Sequence, residues 1–142
     1  MNFQAEDFFT AYGETFGRND ADELAQYFAA PCLIASEDNV HSSADAKALH
    51  QFLEELLSYH REHNTNYIKP LTILPTEVAP WLYQVAITWA IMGQNDRERA
   101  RFQALYSVRL FGEQWKIIFV VTHEEREAFL EASHEDFAAM QG

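Results

Sequence analysis

The chain is 142 residues long and carries 22 acidic against 10 basic side chains, a formal charge of −12. That length suits a single domain over residues 1–142 with one sizeable core, and the charge argues against neutralising a phosphate backbone, so no nucleic-acid partner is expected. Cys32 is the lone cysteine, which excludes an intrachain disulfide; inside the apolar run of residues 31–35 it reads as an unreactive thiol in a reducing compartment.

The opening residues, Met1-Asn2-Phe3-Gln4-Ala5-Glu6-Asp7, lack the basic start and apolar core of a secretory leader. No apolar run is long enough to span a bilayer, so a cytoplasmic protein without a membrane partner is expected. Phe8, Phe9, Tyr12 and Phe16 recur at helical spacing and predict a first helix ending near Gly17. Asp20 followed by Glu23 reads as a capping box that opens a short second helix through Phe28. Pro31 is expected to stop that helix and launch a strand to Ser36. Residues 36–39 then read as a turn and Val40-His41 as a short return strand. Ser42 or Ser43 is the expected cap of a third helix, whose Leu49, Phe52, Leu53, Leu56 and Leu57 make one apolar stripe.

From Ile68 the period changes to two. Residues 68–80 contain Pro70, Pro75 and Pro80, which predicts a bent or edge strand. Long strands follow over 82–92, 98–111 and 115–123, joined by turns at 93–96 and 112–114. Acids open the segment 124–140, which predicts a closing C-terminal helix. Helices followed by an antiparallel meander form an α+β pattern, a curved sheet closed by helices.

The run from Tyr12-Gly13-Glu14-Thr15-Phe16-Gly17 through Asp20-Ala21-Asp22-Glu23-Leu24 to Phe28-Ala29 can be laid without a gap on the first two helices of ketosteroid isomerase. With the helix after Ser43, the strand ending Trp89-Ala90-Ile91-Met92-Gly93 and the turn at 112–116, the order over residues 5–124 resembles the cone-shaped α+β barrel of the nuclear transport factor 2-like superfamily. That group includes ketosteroid isomerase and the SnoaL-like polyketide cyclases. The resemblance implies a conical cavity; it does not transfer a function, because the group spans enzymes, carriers and structural dimers.

In the isomerase a strand carboxylate moves a proton while a tyrosine and a second donor stabilise the enolate oxygen. Tyr12 matches the tyrosine, and Tyr106 stands at the second donor's position. Two phenols aimed at one point would make an oxyanion-type site; two core tyrosines with satisfied hydroxyls are the alternative. Ser36 stands where the aspartate base is expected, and a hydroxyl is too weak a base for a carbon-bound proton. Glu37 should face away by strand alternation, and Asp38 falls in the turn. The long strands over 82–92, 100–111 and 115–122 hold no acid at all, which argues against the paired carboxylates of the fold's epoxide hydrolases.

His123 is the best remaining base, unless it is a rim histidine bonded to Glu124 or backbone; His41 sits either at the cavity mouth or in solvent, with solvent the favoured reading. Phe16, Ser36, Trp89 and Phe102 are the expected ligand-lining residues, with Trp89 either a flat wall or core. His60 and His63 could be a metal pair, although an exposed helix end is the simpler reading, and neither metal nor cofactor is expected. A pocket for a small apolar, ring-containing ligand is the favoured reading. It serves either a cofactor-independent isomerase, dehydratase or cyclase without the usual aspartate, or a non-catalytic binding or dimerisation module. Arg101, Gln103, Ser107 and Arg109 alternate against Phe102, Ala104 and Tyr106, a polar face that would suit sheet-to-sheet packing of a homodimer.

Overall fold

A computed structural model describes residues 2–123. The helix expected over 124–140 lies outside the described residues. Two short helices come first, α1 (Ala5–Glu14), continued by a 3₁₀ turn at Thr15–Gly17, and α2 (Ala21–Ala25). The hairpin β1 (Phe28–Ala35) and β2 (Val40–Ser43) follows, then α3 (Ala46–Glu62) and the meander β3 (Tyr67–Ala79), β4 (Leu82–Met92), β5 (Glu98–Phe111) and β6 (Gln114–His123). The six strands form one sheet in the order β2-β1-β6-β5-β4-β3, in which only β1 and β6 run parallel. The two ends of that order do not pair, so the expected barrel is an open sheet whose inner face is covered by helices: α1 lies across β3, and α3 lies against α2 and β1.

The chemistry of the first half sets this arrangement. The apolar spacing of Phe9, Tyr12 and Phe16 buries one face of the first helical segment, and Asp20 caps α2 by accepting from the backbone amides of Asp22 and Glu23. α2 stops at Ala25, short of the expected Phe28, because Phe28 opens β1 and pairs with Ile117 of β6. Pro31 therefore sits inside a strand instead of starting one. It falls where the β1–β6 register is irregular and before β2 pairing begins at Cys32, so its missing N–H costs the ladder nothing. The cap of α3 is Asp45, which accepts from the Ala48 amide at 2.8 Å; Ser42 and Ser43 are committed to β2 opposite Leu33 and Cys32.

The proline-bearing β3 is an edge strand, as its sequence predicts. β4 and β5 pair along almost their whole length, and alternation sends Val85, Ile87, Trp89 and Ile91 of β4 inward with Phe102, Ala104, Tyr106 and Val108 of β5. Arg101, Gln103 and Leu105 are exposed on the opposite face. Gly13 lets α1 approach this sheet closely: a Cβ there would stand 2.2 Å from the Ile68 carbonyl oxygen. Among the described residues no helix is long and apolar enough to cross a membrane.

Candidate functional site

The helices do not fill the cup completely. A cavity of ≈ 190 Å³ remains between the first helical segment, the β1–β2 hairpin, α3 and the inner face of β5 and β6. Its closed end is aromatic and aliphatic: Phe16, Phe28, Ile68, Phe102 and Val120 are all buried, and the phenols of Tyr12 and Tyr106 stand among them. Its open end is mixed. Ile34, Phe52 and Leu56 supply apolar wall there, while Ser36, Asn39, His41 and Thr122 supply polar atoms.

Tyr106 is 2 % exposed, and its hydroxyl oxygen accepts a 2.9 Å hydrogen bond from Trp89 Nε1. Indole is a donor only, so in this bond the phenol oxygen is the acceptor and is held from behind by Trp89. Tyr12 stands beside it, with ring centroids 5.8 Å apart and planes at 74°. Phe9 wedges its ring 4.8 Å from Tyr106, and Phe16 packs 5.2 Å from Tyr12. Tilted and edge-on pairs of this kind each contribute about 0.5–1.5 kcal/mol beyond simple area burial, so both phenols are held in place by their surroundings.

Tyr12, Phe16, Ser36, Phe102 and Tyr106 thus meet at one cavity. Trp89 does not line it. The indole is 0 % exposed and lies behind Tyr106, since a buried N–H requires an acceptor and Tyr106 Oη supplies it. His123 is also absent from the lining: alternation along β6 turns Val120 and Thr122 toward the cavity and His123 toward the outer face. There its Nδ1 meets Glu37 Oε1 at 2.6 Å, both side chains being half exposed. That contact ties the end of β6 to the turn at residues 36–39, itself closed by the Ser36 amide donating to the Asn39 carbonyl at 2.8 Å. Glu37 is accordingly directed away from the cavity, as strand alternation predicts.

His41, expected in solvent, is instead part of the cavity. It pairs with Ile34 across the β1–β2 hairpin, so the two share a face, and its ring stacks on Phe52 of α3 with centroids 4.4 Å apart and planes at 22°. The hairpin register was the signal for this placement, since a turn over 36–39 sets residue 34 opposite 41. His60, expected at an exposed helix end, is fully buried: it extends the stripe Leu49, Leu53, Leu57, its Nδ1 lies 3.2 Å from Thr65 Oγ1, and its ring meets Phe16 edge-on. His63 turns its Nδ1 to the Tyr59 carbonyl, so the two imidazoles do not converge. Among the described residues no group of three or more metal-ligating side chains is assembled. Burial pushes the Cys32 thiol up to about 12, which makes it an unreactive core residue.

The sequence profile of the family described as NTF2-like protein (DUF6841) matches residues 3–125. No curated protein matches the sequence. Several solved structures share the fold. A domain of unknown function with a cystatin-like fold from Nostoc punctiforme is 15% identical, with a TM-score of 0.66 over 98% of this chain and 88% of that one. A provisionally named scytalone dehydratase from Novosphingobium aromaticivorans is 18% identical, with a TM-score of 0.63 over 82% of this chain and 78% of that one. An NTF-2 like protein of unknown function from Shewanella oneidensis is 14% identical, with a TM-score of 0.60 over 82% and 93%. At such identities the likeness carries the fold alone.

Proposed function

This chain belongs to the NTF2-like protein family DUF6841, and we propose that its cup holds a small, uncharged, ring-containing ligand whose oxygen accepts from Tyr106 and Tyr12. The observation that carries this reading is the hydrogen bond from Trp89 to Tyr106 at the closed end of an apolar cavity. A polar group so placed costs stability unless it is bonded, and one aimed into an apolar chamber gives an occupant its orientation. The packed-scaffold alternative gains no support from a cone that retains ≈ 190 Å³ of unfilled volume.

Native mass spectrometry of the freshly purified protein, then of the denatured protein, tests for a retained ligand. Titration with acetophenone, the simplest aromatic ketone, tests the site directly. Saturable binding is expected, weakened about tenfold by Tyr106→Phe, the equivalent of one hydrogen bond. Failure of the wild-type protein to bind any single-ring ketone would overturn the reading.

A catalytic version is favoured by one further observation. His41 is the imidazole among the cavity-lining residues, and no carboxylate is among them. An isomerase or dehydratase in this cup would therefore take its base from β2 and not from the end of β6. The homodimer is retained as a proposal: Leu105 and Leu74 stand 38% and 64% exposed on the sheet's outer side, beside Arg101 and Arg109. Light scattering decides it, and a monomeric mass refutes it.

A further inference from the structure

The cavity has a polarity gradient. Its closed end offers two phenols in an apolar setting; its mouth offers Ser36, Asn39, Thr122 and His41. The mouth groups are not equivalent. The Ser36 hydroxyl donates to the Asn39 carbonyl at 3.4 Å, within the turn itself. The His41 ring has its face occupied by Phe52, and neither ring nitrogen has a hydrogen-bond partner among the described residues. A face-stacked imidazole keeps its nitrogens at the ring edge, directed across the plane of the stack, so its hydrogen-bonding capacity remains for whatever occupies the mouth.

Charge selects the kind of group that fits there. No lysine or arginine is among the described cavity-lining residues, and the protein carries a formal −12, so a carboxylate or phosphate at the mouth would be repelled. An uncharged hydroxyl is not, and a neutral imidazole nitrogen accepts from it. Size selects the body. An apolar cavity of about 150 Å³ holds one benzene ring. The ≈ 190 Å³ present here holds one ring with small substituents.

We propose that His41, stacked on Phe52 at the cavity mouth, reads a hydroxyl on a single-ring ligand whose ketone-type oxygen is held at the closed end by Tyr106 and Tyr12. This deepens the ligand-pocket reading above and rests on it. His41 is a specificity-determining residue in this scheme: it sorts hydroxylated from unhydroxylated rings, while the phenols bind both.

The test is a set of titrations on the full chain, followed calorimetrically and by the His41 imidazole C–H resonances. The probes are acetophenone, meta- and para-hydroxyacetophenone, and their methoxy counterparts. The expected result is that one hydroxyacetophenone binds about tenfold tighter than acetophenone and its methoxy counterpart, as one added hydrogen bond gives. It shifts the His41 resonances. In His41→Phe, which keeps the stack on Phe52, and in His41→Ala, the ratio of hydroxyacetophenone to acetophenone affinity falls to about one, whatever the change in acetophenone affinity itself. If acetophenone binds but hydroxylation brings no gain, or the gain survives both His41 substitutions, the His41 assignment is overturned while the pocket stands. If acetophenone itself fails to bind, the pocket reading falls and takes the His41 assignment with it.

Discussion

Replacing Tyr106 by Phe removes one oxygen and should cost more stability than a surface change, because of what it leaves behind. Trp89 Nε1 donates to that oxygen at 2.9 Å, and the indole is 0 % exposed, so in Tyr106→Phe its N–H has neither partner nor water. A buried donor stripped in this way costs about 1–3 kcal/mol. Trp89→Phe removes the donor instead. It loses the bond and leaves a void, for roughly 2–4 kcal/mol, since only part of the cost of a large-to-small change is recovered by repacking. In the Trp89→Phe background, Tyr106→Phe deletes a hydroxyl that no longer receives the bond, and its cost should fall to about 0.5 kcal/mol or less. The difference, roughly 0.5–3 kcal/mol, is the coupling energy of the pair. Urea unfolding followed by far-ultraviolet circular dichroism measures all four forms without depending on the altered indole. Equal cost of Tyr106→Phe in both backgrounds would refute the claim that Trp89 holds the phenol.

Gly13→Ala should destabilise by about 1–3 kcal/mol, since its Cβ would sit 2.2 Å from the Ile68 carbonyl oxygen and α1 must shift to admit it; an unchanged urea midpoint would contradict the close approach. Leu56→Trp adds volume at the mouth of the cavity, so acetophenone affinity should drop more than about tenfold with little loss of stability. Retained affinity there would place the ligand elsewhere. Cys32 gives a pH prediction. Its folded thiol is pushed up to about 12 by burial, from an ordinary value of 9.0, so the folded state keeps its proton longer than the unfolded chain. The resulting stability is fully present below pH 9 and is lost as the pH rises from there toward 12, at up to about 1.4 kcal/mol per pH unit. Cys32→Ala should show a shallower alkaline decline than the wild-type protein, and identical slopes would refute the burial argument.

The meander was legible because its signals are local. Strict alternation marks β4 and β5 to the residue, and Gly112, with φ at +64°, marks the turn between β5 and β6. The first half was less legible where long-range pairing overrides local preference. Ser42 and Ser43 are good caps in isolation, yet both are taken by β2, which exists only because β1 lies beside it. Phe28 looks helical until β6, almost ninety residues later, offers it Ile117. The site divides the same way. Parity along β5 placed Phe102 and Tyr106 on the inner face, and helical spacing placed Tyr12 and Phe16 there. The location of His41 depended on hairpin register, and that of His123 on a shift in the β5–β6 ladder between Ser107 and Val108. The first could be read from the turn over 36–39, which sets residue 34 opposite 41; the second leaves no mark on its own neighbourhood in the sequence.

Two hydrogen-bonded contacts now explain why this cup differs electrostatically from one built around a strand aspartate. At its floor, Trp89 donates to the Tyr106 phenol oxygen and fixes its position without introducing any charge. At its rim, Glu37, the carboxylate nearest the position expected for the base, is drawn outward to His123 and serves as a clasp on the mouth loop. Ser36, which holds that position in sequence, spends its hydroxyl inside the turn. The described lining is consequently free of formal carboxylate charge, and a bound molecule meets walls that reward desolvated apolar surface and two or three directional hydrogen bonds. Under the proposed reading such a chamber would discriminate by shape and by hydroxyl placement. No lysine or arginine is among its described lining residues, so an anionic ligand finds no fixed counter-charge there to offset its dehydration.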